Sequence, residues 1–116
     1  MKEGAIILVA LPQADGQTKP RPAILLRAFP PFGDFLVCGV STQLHLEVAG
    51  FDEIIGRESA DFSNSGLRQE SLIRLGFLAI FAADQIIGSI GAISSTRHRR
   101  LLQRLAAHLL SNQATT

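Results

Sequence analysis

Residues 86–110 read IIGSIGAISSTRHRRLLQRLAAHLL, and the pattern changes character partway along. Up to Ile93 the run is apolar, and Gly88 and Gly91 weaken a helical reading, which predicts a last strand or irregular apolar segment over Ile86–Ile93. Beyond it Leu101, Leu105 and Leu109, with Leu102 and His98 beside them, recur at helical spacing, and Ser94, Ser95 or Thr96 can supply the N-cap. No other stretch has this period, so one amphipathic helix closes a chain otherwise built of strands. Arg97, Arg99, Arg100 and Arg104 crowd the first half of that helix, where the dipole disfavours cations. A solvated face flanking the leucine stripe is the plain reading of them, and a dedicated anion site the other.

Outward from the helix, the strands are announced by short apolar runs between turn formers. Ile6–Leu11 is a continuous run stopped by Pro12, PQADGQTKP (12–20) reads as a loop, and PAILLRA (22–28) as a second strand. FPPFGD (29–34) turns the chain into FLVCGVS (35–41), where Gly39 suggests a bulge or a close backbone approach. Leu44, Leu46 and Val48 alternate against Gln43, His45 and Glu47, the period of a half-exposed strand, and a further short strand is expected at 52–55. GRESADFSNSG (56–66) is a polar connector, and SLIRLGFLAIF (71–81) is a long strand. Five or six short strands and one helix, without βαβ alternation, predict a mainly β fold: a small antiparallel barrel or a strongly curled sheet with the helix packed on it.

At 116 residues the chain makes one domain, with any site built on one core or across an oligomer interface. Hydrophobic residues at 47% and charged residues at 18% exclude disorder and exceed what so small a core hides, so association is expected. A net charge of +1 neither demands nor forbids nucleic acid, because a groove needs a local cluster of cations. The single Cys38 excludes an intramolecular disulfide and a CxxC motif, which fits a reducing cytoplasm. The apolar run from Gly4 meets Pro12, Asp15 and Lys19 too soon for a signal peptide, and no run approaches the ~20 residues of a membrane helix. A soluble protein without membrane contact is expected.

His45, His98 and His108 are far apart, without HExxH or a carboxylate cluster, so no metal is expected, and no Walker loop, GxGxxG or GxSxG is present to imply a cofactor or a hydrolase elbow. What remains is cations and hydroxyls at strand ends: Lys19 and Arg21 entering strand two, Ser41 and Thr42 leaving strand three, and Arg74 in a later strand. On one rim of a curled sheet they would suit a phosphodiester, since metal-free RNA cleavage needs alignment of the 2′-hydroxyl, positive charge against the phosphorane and proton transfer. The alternative is that Arg21 and Arg27 are edge-strand charges that discourage aggregation and Ser41-Thr42 is a strand terminus.

GAIILV, a loop ending in KPRPAILL, VCGVSTQ, SGLRQESLIRL and IIGSIGAIS before the helix resemble, in this order and spacing, the PemK/MazF toxins of bacterial toxin-antitoxin modules, over Gly4 to Leu110. The resemblance implies an SH3-like barrel of the CcdB/PemK type with a C-terminal helix, a homodimer, and a metal-independent endoribonuclease that cuts single-stranded RNA, chiefly mRNA, and is neutralised by a cognate antitoxin. It carries the family's strand-two arginine onto Arg21 and the hydroxyl after strand three onto Ser41, with Thr42 as an adjacent substitute. Gln17, Thr18 and Lys19 fall in the loop that closes over RNA, and Gln43, His45 and Arg74 complete the expected RNA contacts. Where members often carry an acid beyond the Arg74 position this chain has Gly76, and Glu70 or His45 is the candidate replacement. Phe29, Phe32 or Phe35 would have to stack bases, because Trp and Tyr are absent. A non-catalytic binder on the same scaffold, either a gyrase poison of the CcdB type or a degenerate toxin that only binds an antitoxin, is the rival reading.

Overall fold

The computed structural model describes residues 1–12 and 16–111; the middle of the first loop and residues 112–116 lie outside the described residues. Six strands, β1 (Ala5–Pro12), β2 (Thr18–Phe29), β3 (Asp34–Ser41), β4 (Glu53–Ile55), β5 (Ser71–Phe81) and β6 (Ile86–Ala92), form one antiparallel sheet in the order β4-β5-β3-β2-β1-β6. A four-residue helix α1 (Phe62–Ser65) interrupts the polar connector, and α2 (Ser95–Leu110) closes the fold. The mainly β class with a C-terminal helix is as expected. The barrel is not closed: β4 and β6 are the two edges of the sheet and do not pair. The connector after β4 covers that gap instead, for α1 packs on β6, where Gly66 leaves no room for a Cβ beside the Ile90 carbonyl and Gly91 none beside Asn64 and Ser65.

Curling comes from register shifts, since an extra residue on one strand bends it and raises the local twist. Pairing shifts between Leu25 and Arg27 in β2–β3, twice in β1–β6, and most strongly in β3–β5, where Cys38 faces Leu78 while Gly39 faces Arg74. Gly39 therefore lies at both a bulge and a close approach, because a Cβ there would stand 2.5 Å from Phe77 Cδ2. Bending buries part of both sheet faces. Ile6, Ile24, Leu26, Cys38, Ile73 and Leu75 meet Leu101 and Leu105 of α2, while Ile7, Val9, Ala23, Leu25 and Val37, the alternate residues, form a second cluster with Phe35 and Phe81.

Strand two begins at Thr18, four residues before the expected start, and it lies between β1 and β3, so Arg21 and Arg27 are not edge-strand charges. Pro20 and Pro22 are compatible with this interior position because they are two residues apart and so turn the same side of the strand. The ladder to β1 runs on through Arg21 and Lys19, whereas pairing with β3 starts only at Ala23–Gly39. The lost N–H groups thus fall on the side where β2 has no β3 partner.

Residues 42–48 are not a strand. Leu44–Leu46 form a 3₁₀ turn, started where Ser41 Oγ accepts the Gln43 N–H and continued by Leu46 N–H to the Gln43 carbonyl. The arginines of α2 are likewise not a solvated face. Arg97 is buried and bonds Asp61 and Glu53, Arg100 bonds Glu53 through two nitrogens, and Arg104 reaches Glu53 and the carbonyls of Phe51 and Asp52; of the four, Arg99 alone is exposed. The places of Arg97 and Arg100 in the first half of the helix, and of Arg104 just beyond it, are explained by carboxylates of β4 and of the residue before α1. Ser94 caps α2, its hydroxyl accepting the Arg97 N–H at 3.1 Å. Ser94→Ala is expected to lower stability by about 1 kcal/mol in urea unfolding. An unchanged midpoint would show that the cap carries no free energy.

Candidate active site

Where β2 runs past the end of β3, the sheet leaves a cavity of about 720 Å³. Leu8 and Pro22 line it from β1 and β2, Ser41, Thr42 and Gln43 from the end of β3 and its turn, and Arg68 and Gln69 from the segment leading into β5. Arg21, exposed opposite Val9, and Arg74, half-buried opposite Gly39, also line it, so residues distant in the chain converge on one concavity.

Ser41 is placed by the last rung of β3, opposite Leu72, and its hydroxyl oxygen accepts the Gln43 N–H at 3.0 Å. That bond uses a lone pair and leaves the O–H proton to donate, as a hydroxyl presented to a phosphate oxygen must. Three guanidiniums, Arg21, Arg68 and Arg74, line the cavity, and no Asp, Glu or His is among its described lining residues. Such a wall favours anions with planar or forked oxygens.

Arg21, Ser41, Thr42, Gln43 and Arg74 are thus brought together, and the others are not. Gln17, Thr18 and Lys19 are exposed and outside the cavity wall, Thr18 and Lys19 being strand residues of β2 and not a loop. His45 is exposed in the 3₁₀ turn and does not line the cavity. Glu70 turns away, with its Oε2 accepting the Arg57 N–H at 3.4 Å beside Gly56, so neither candidate replacement for the acid missing at Gly76 faces the site. Phe29, Phe32 and Phe35 lie outside the cavity.

Arg68, Gln69 and Phe77 were not anticipated as site residues. Arg68 and Gln69 sit inside SGLRQESLIRL, a signal that was present, but Phe77 had none, since alternation sets it on the same face as the buried Leu75. Cys38 has no part in the site: burial pushes its thiol up to about 12. Among the described residues no three His, Cys, Asp or Glu gather to hold a metal ion, and no helix is long and apolar enough to cross a membrane.

Residues 2–109 match the model of the family described as PemK-like, MazF-like toxin of type II toxin-antitoxin system. That is nearly the whole chain, and the chain belongs to this family. Comparison with curated proteins gives no match.

Proposed function

We propose, from its membership of the PemK-like, MazF-like toxins, that this chain is a metal-independent endoribonuclease acting on single-stranded RNA, in particular mRNA, as a cytoplasmic homodimer restrained by a cognate antitoxin. The observation that carries the reading is the shared cavity of Arg21, Ser41, Thr42 and Arg74, in which cations and a hydroxyl donor take the place that metal-binding carboxylates would occupy.

In the proposed reaction the scissile phosphate enters between Arg21 and Ser41. The Ser41 O–H donates to a non-bridging oxygen and fixes the phosphorus in line with the neighbouring 2′-oxygen. As that oxygen attacks, the P–O5′ bond breaks, a 2′,3′-cyclic phosphate forms, and the 5′-oxygen leaves with a proton supplied by solvent. Arg21 stabilises the charge that grows on the phosphorane, and Arg74 and Arg68 hold flanking phosphates. With no carboxylate or imidazole on the described wall, acceleration rests on alignment and electrostatics, and solvent takes the 2′ proton.

The test is incubation of single-stranded RNA with the purified protein in excess chelator. Fragments ending in cyclic phosphate are expected, and RNA left intact at high protein concentration would favour the non-catalytic binder. Exposed Leu78 and Ile80 on β5 and Ile87 on β6 support self-association. Light scattering should then give a mass near twice 12.5 kDa, and a monomer at micromolar concentration would overturn the dimer.

A further inference from the structure

Of the seven phenylalanines, Phe77 is the one on the wall of the cavity. It is 53% exposed, while Leu75, two residues earlier on the same strand, is fully buried. Strict alternation would send both side chains into the core. The shift from Cys38–Leu78 to Gly39–Arg74 leaves residues 75–77 without partners on β3, and the bend rotates Phe77 out over Gly39. Re-aiming a side chain is what bulges beside functional sites do. Glycine beneath the ring is required, because any Cβ at position 39 would collide with it. The Arg74 guanidinium carbon lies 5.4 Å from the ring centroid, within cation–π reach.

A large apolar ring left half in water has lost burial free energy that this fold gives to Leu75 next to it. Here the ring stands against a cation in a cavity lined by two further arginines. A flat π-surface beside phosphate-binding charge is the pairing that single-stranded nucleic acid meets with a base and its adjoining phosphate. Resting on the ribonuclease reading above, we propose that the Phe77 ring, seated on Gly39 and paired with Arg74, is the stacking platform for a nucleobase next to the scissile phosphate.

The chain has neither Trp nor Tyr, so Phe77→Trp places a single indole reporter on the platform. Single-stranded deoxy 12-mers of each base, which lack the attacking hydroxyl, serve as probes that cannot be cut. Saturable quenching of Phe77→Trp emission is expected, with none in Phe32→Trp, whose ring lies outside the cavity. Phe77→Ala and Phe77→Leu should weaken oligonucleotide binding, read by anisotropy of labelled 12-mers, and raise KM for RNA by roughly 5- to 150-fold, with Phe77→Trp restoring both. Oligomers that bind the wild type while indole emission and Phe77→Ala affinity stay unchanged would overturn the platform and leave the ribonuclease reading standing. Emission that follows protein concentration but not oligonucleotide would assign the ring to a contact between copies and overturn the platform as well. A wild type that neither binds the 12-mers nor cuts RNA would end both.

Discussion

Arg21→Ala is expected to reduce kcat for cleavage of single-stranded RNA by about 10²–10³-fold, the loss typical when one preorganised donor to a developing oxyanion is removed. Arg21 is exposed on β2, with its backbone held by the ladder to Val9, so circular dichroism and melting temperature should stay close to those of the wild type. Arg21→Lys should recover only part of the activity, because an ammonium supplies charge without the planar fork that matches two phosphate oxygens. Ser41→Ala removes one hydroxyl donor to a non-bridging oxygen but no positive charge, and should cost less than Arg21→Ala. Since the described cavity wall holds no carboxylate or imidazole, the rate should keep rising with pH without the levelling-off that titration of a protein base would impose. A change below threefold in Arg21→Ala would place the reacting phosphate elsewhere.

Arg97→Met is expected to destabilise the protein by about 3–5 kcal/mol, out of the roughly 5–15 kcal/mol that holds a domain of this kind together. Methionine keeps much of the volume but removes three charge-assisted bonds: Nε to Asp61 Oδ2 at 2.8 Å, Nη2 to Asp61 Oδ1 at 3.1 Å and Nη1 to Glu53 Oε1 at 2.7 Å. Glu53 would keep Arg100 and Arg104, so the greater loss falls on Asp61, left buried with the Ser94 N–H at 3.0 Å. The melting temperature should fall by about 10–20 °C. The double change Arg97→Met with Asp61→Asn should recover part of the loss, because it removes the stranded charge. No shift in melting temperature would mean that this network does not hold α2 to the sheet.

Acid should act on the same network. Burial works to raise both carboxyls. At Glu53 the Arg100 hydrogen bonds and the charges of Arg100, Arg97 and Arg104 outweigh it, and at Asp61 the Arg97 bonds and the Ser94 N–H do so, holding both below their ordinary values of 4.5 and 3.8. Carboxyls that bind protons less tightly when folded leave the unfolded chain with more bound protons as pH falls. Their stabilisation is therefore complete above about pH 5 and is lost as pH drops below those ordinary values and through the folded ones. Urea midpoints measured from pH 6 to pH 3 should show that decline.

Much of the architecture was legible because its signals are local. The runs at 6–11, 35–41 and 71–81 are strands, Ser94 caps the one long helix, and Gly39 marks a bulge. Alternation misled at 44–48, where a hydroxyl at Ser41 turned the backbone before a strand could begin. It misled again at Phe77, because that residue is one of the extra residues of the β5 bulge and has no partner on β3 to hold the alternation. The arginines of α2 looked solvated because their carboxylates lie in parts of the chain with no periodic relation to the helix: Arg97 is 44 residues from Glu53 and 36 from Asp61.

By itself, then, the amino-acid order determined most of the strand segments and the region where the helix starts, and offered Arg21, Ser41 and Arg74 as groups that would suit a phosphodiester. These follow from side-chain period and functional-group chemistry, which act over a few residues. Only the tertiary structure decided that Arg21, Ser41 and Arg74 share a cavity with Phe77 while Glu70 and His45 face elsewhere, and that three arginines are tied to buried carboxylates. Those outcomes depend on strand register, on a bulge, and on charges that pair only once the sheet has curled beneath the helix.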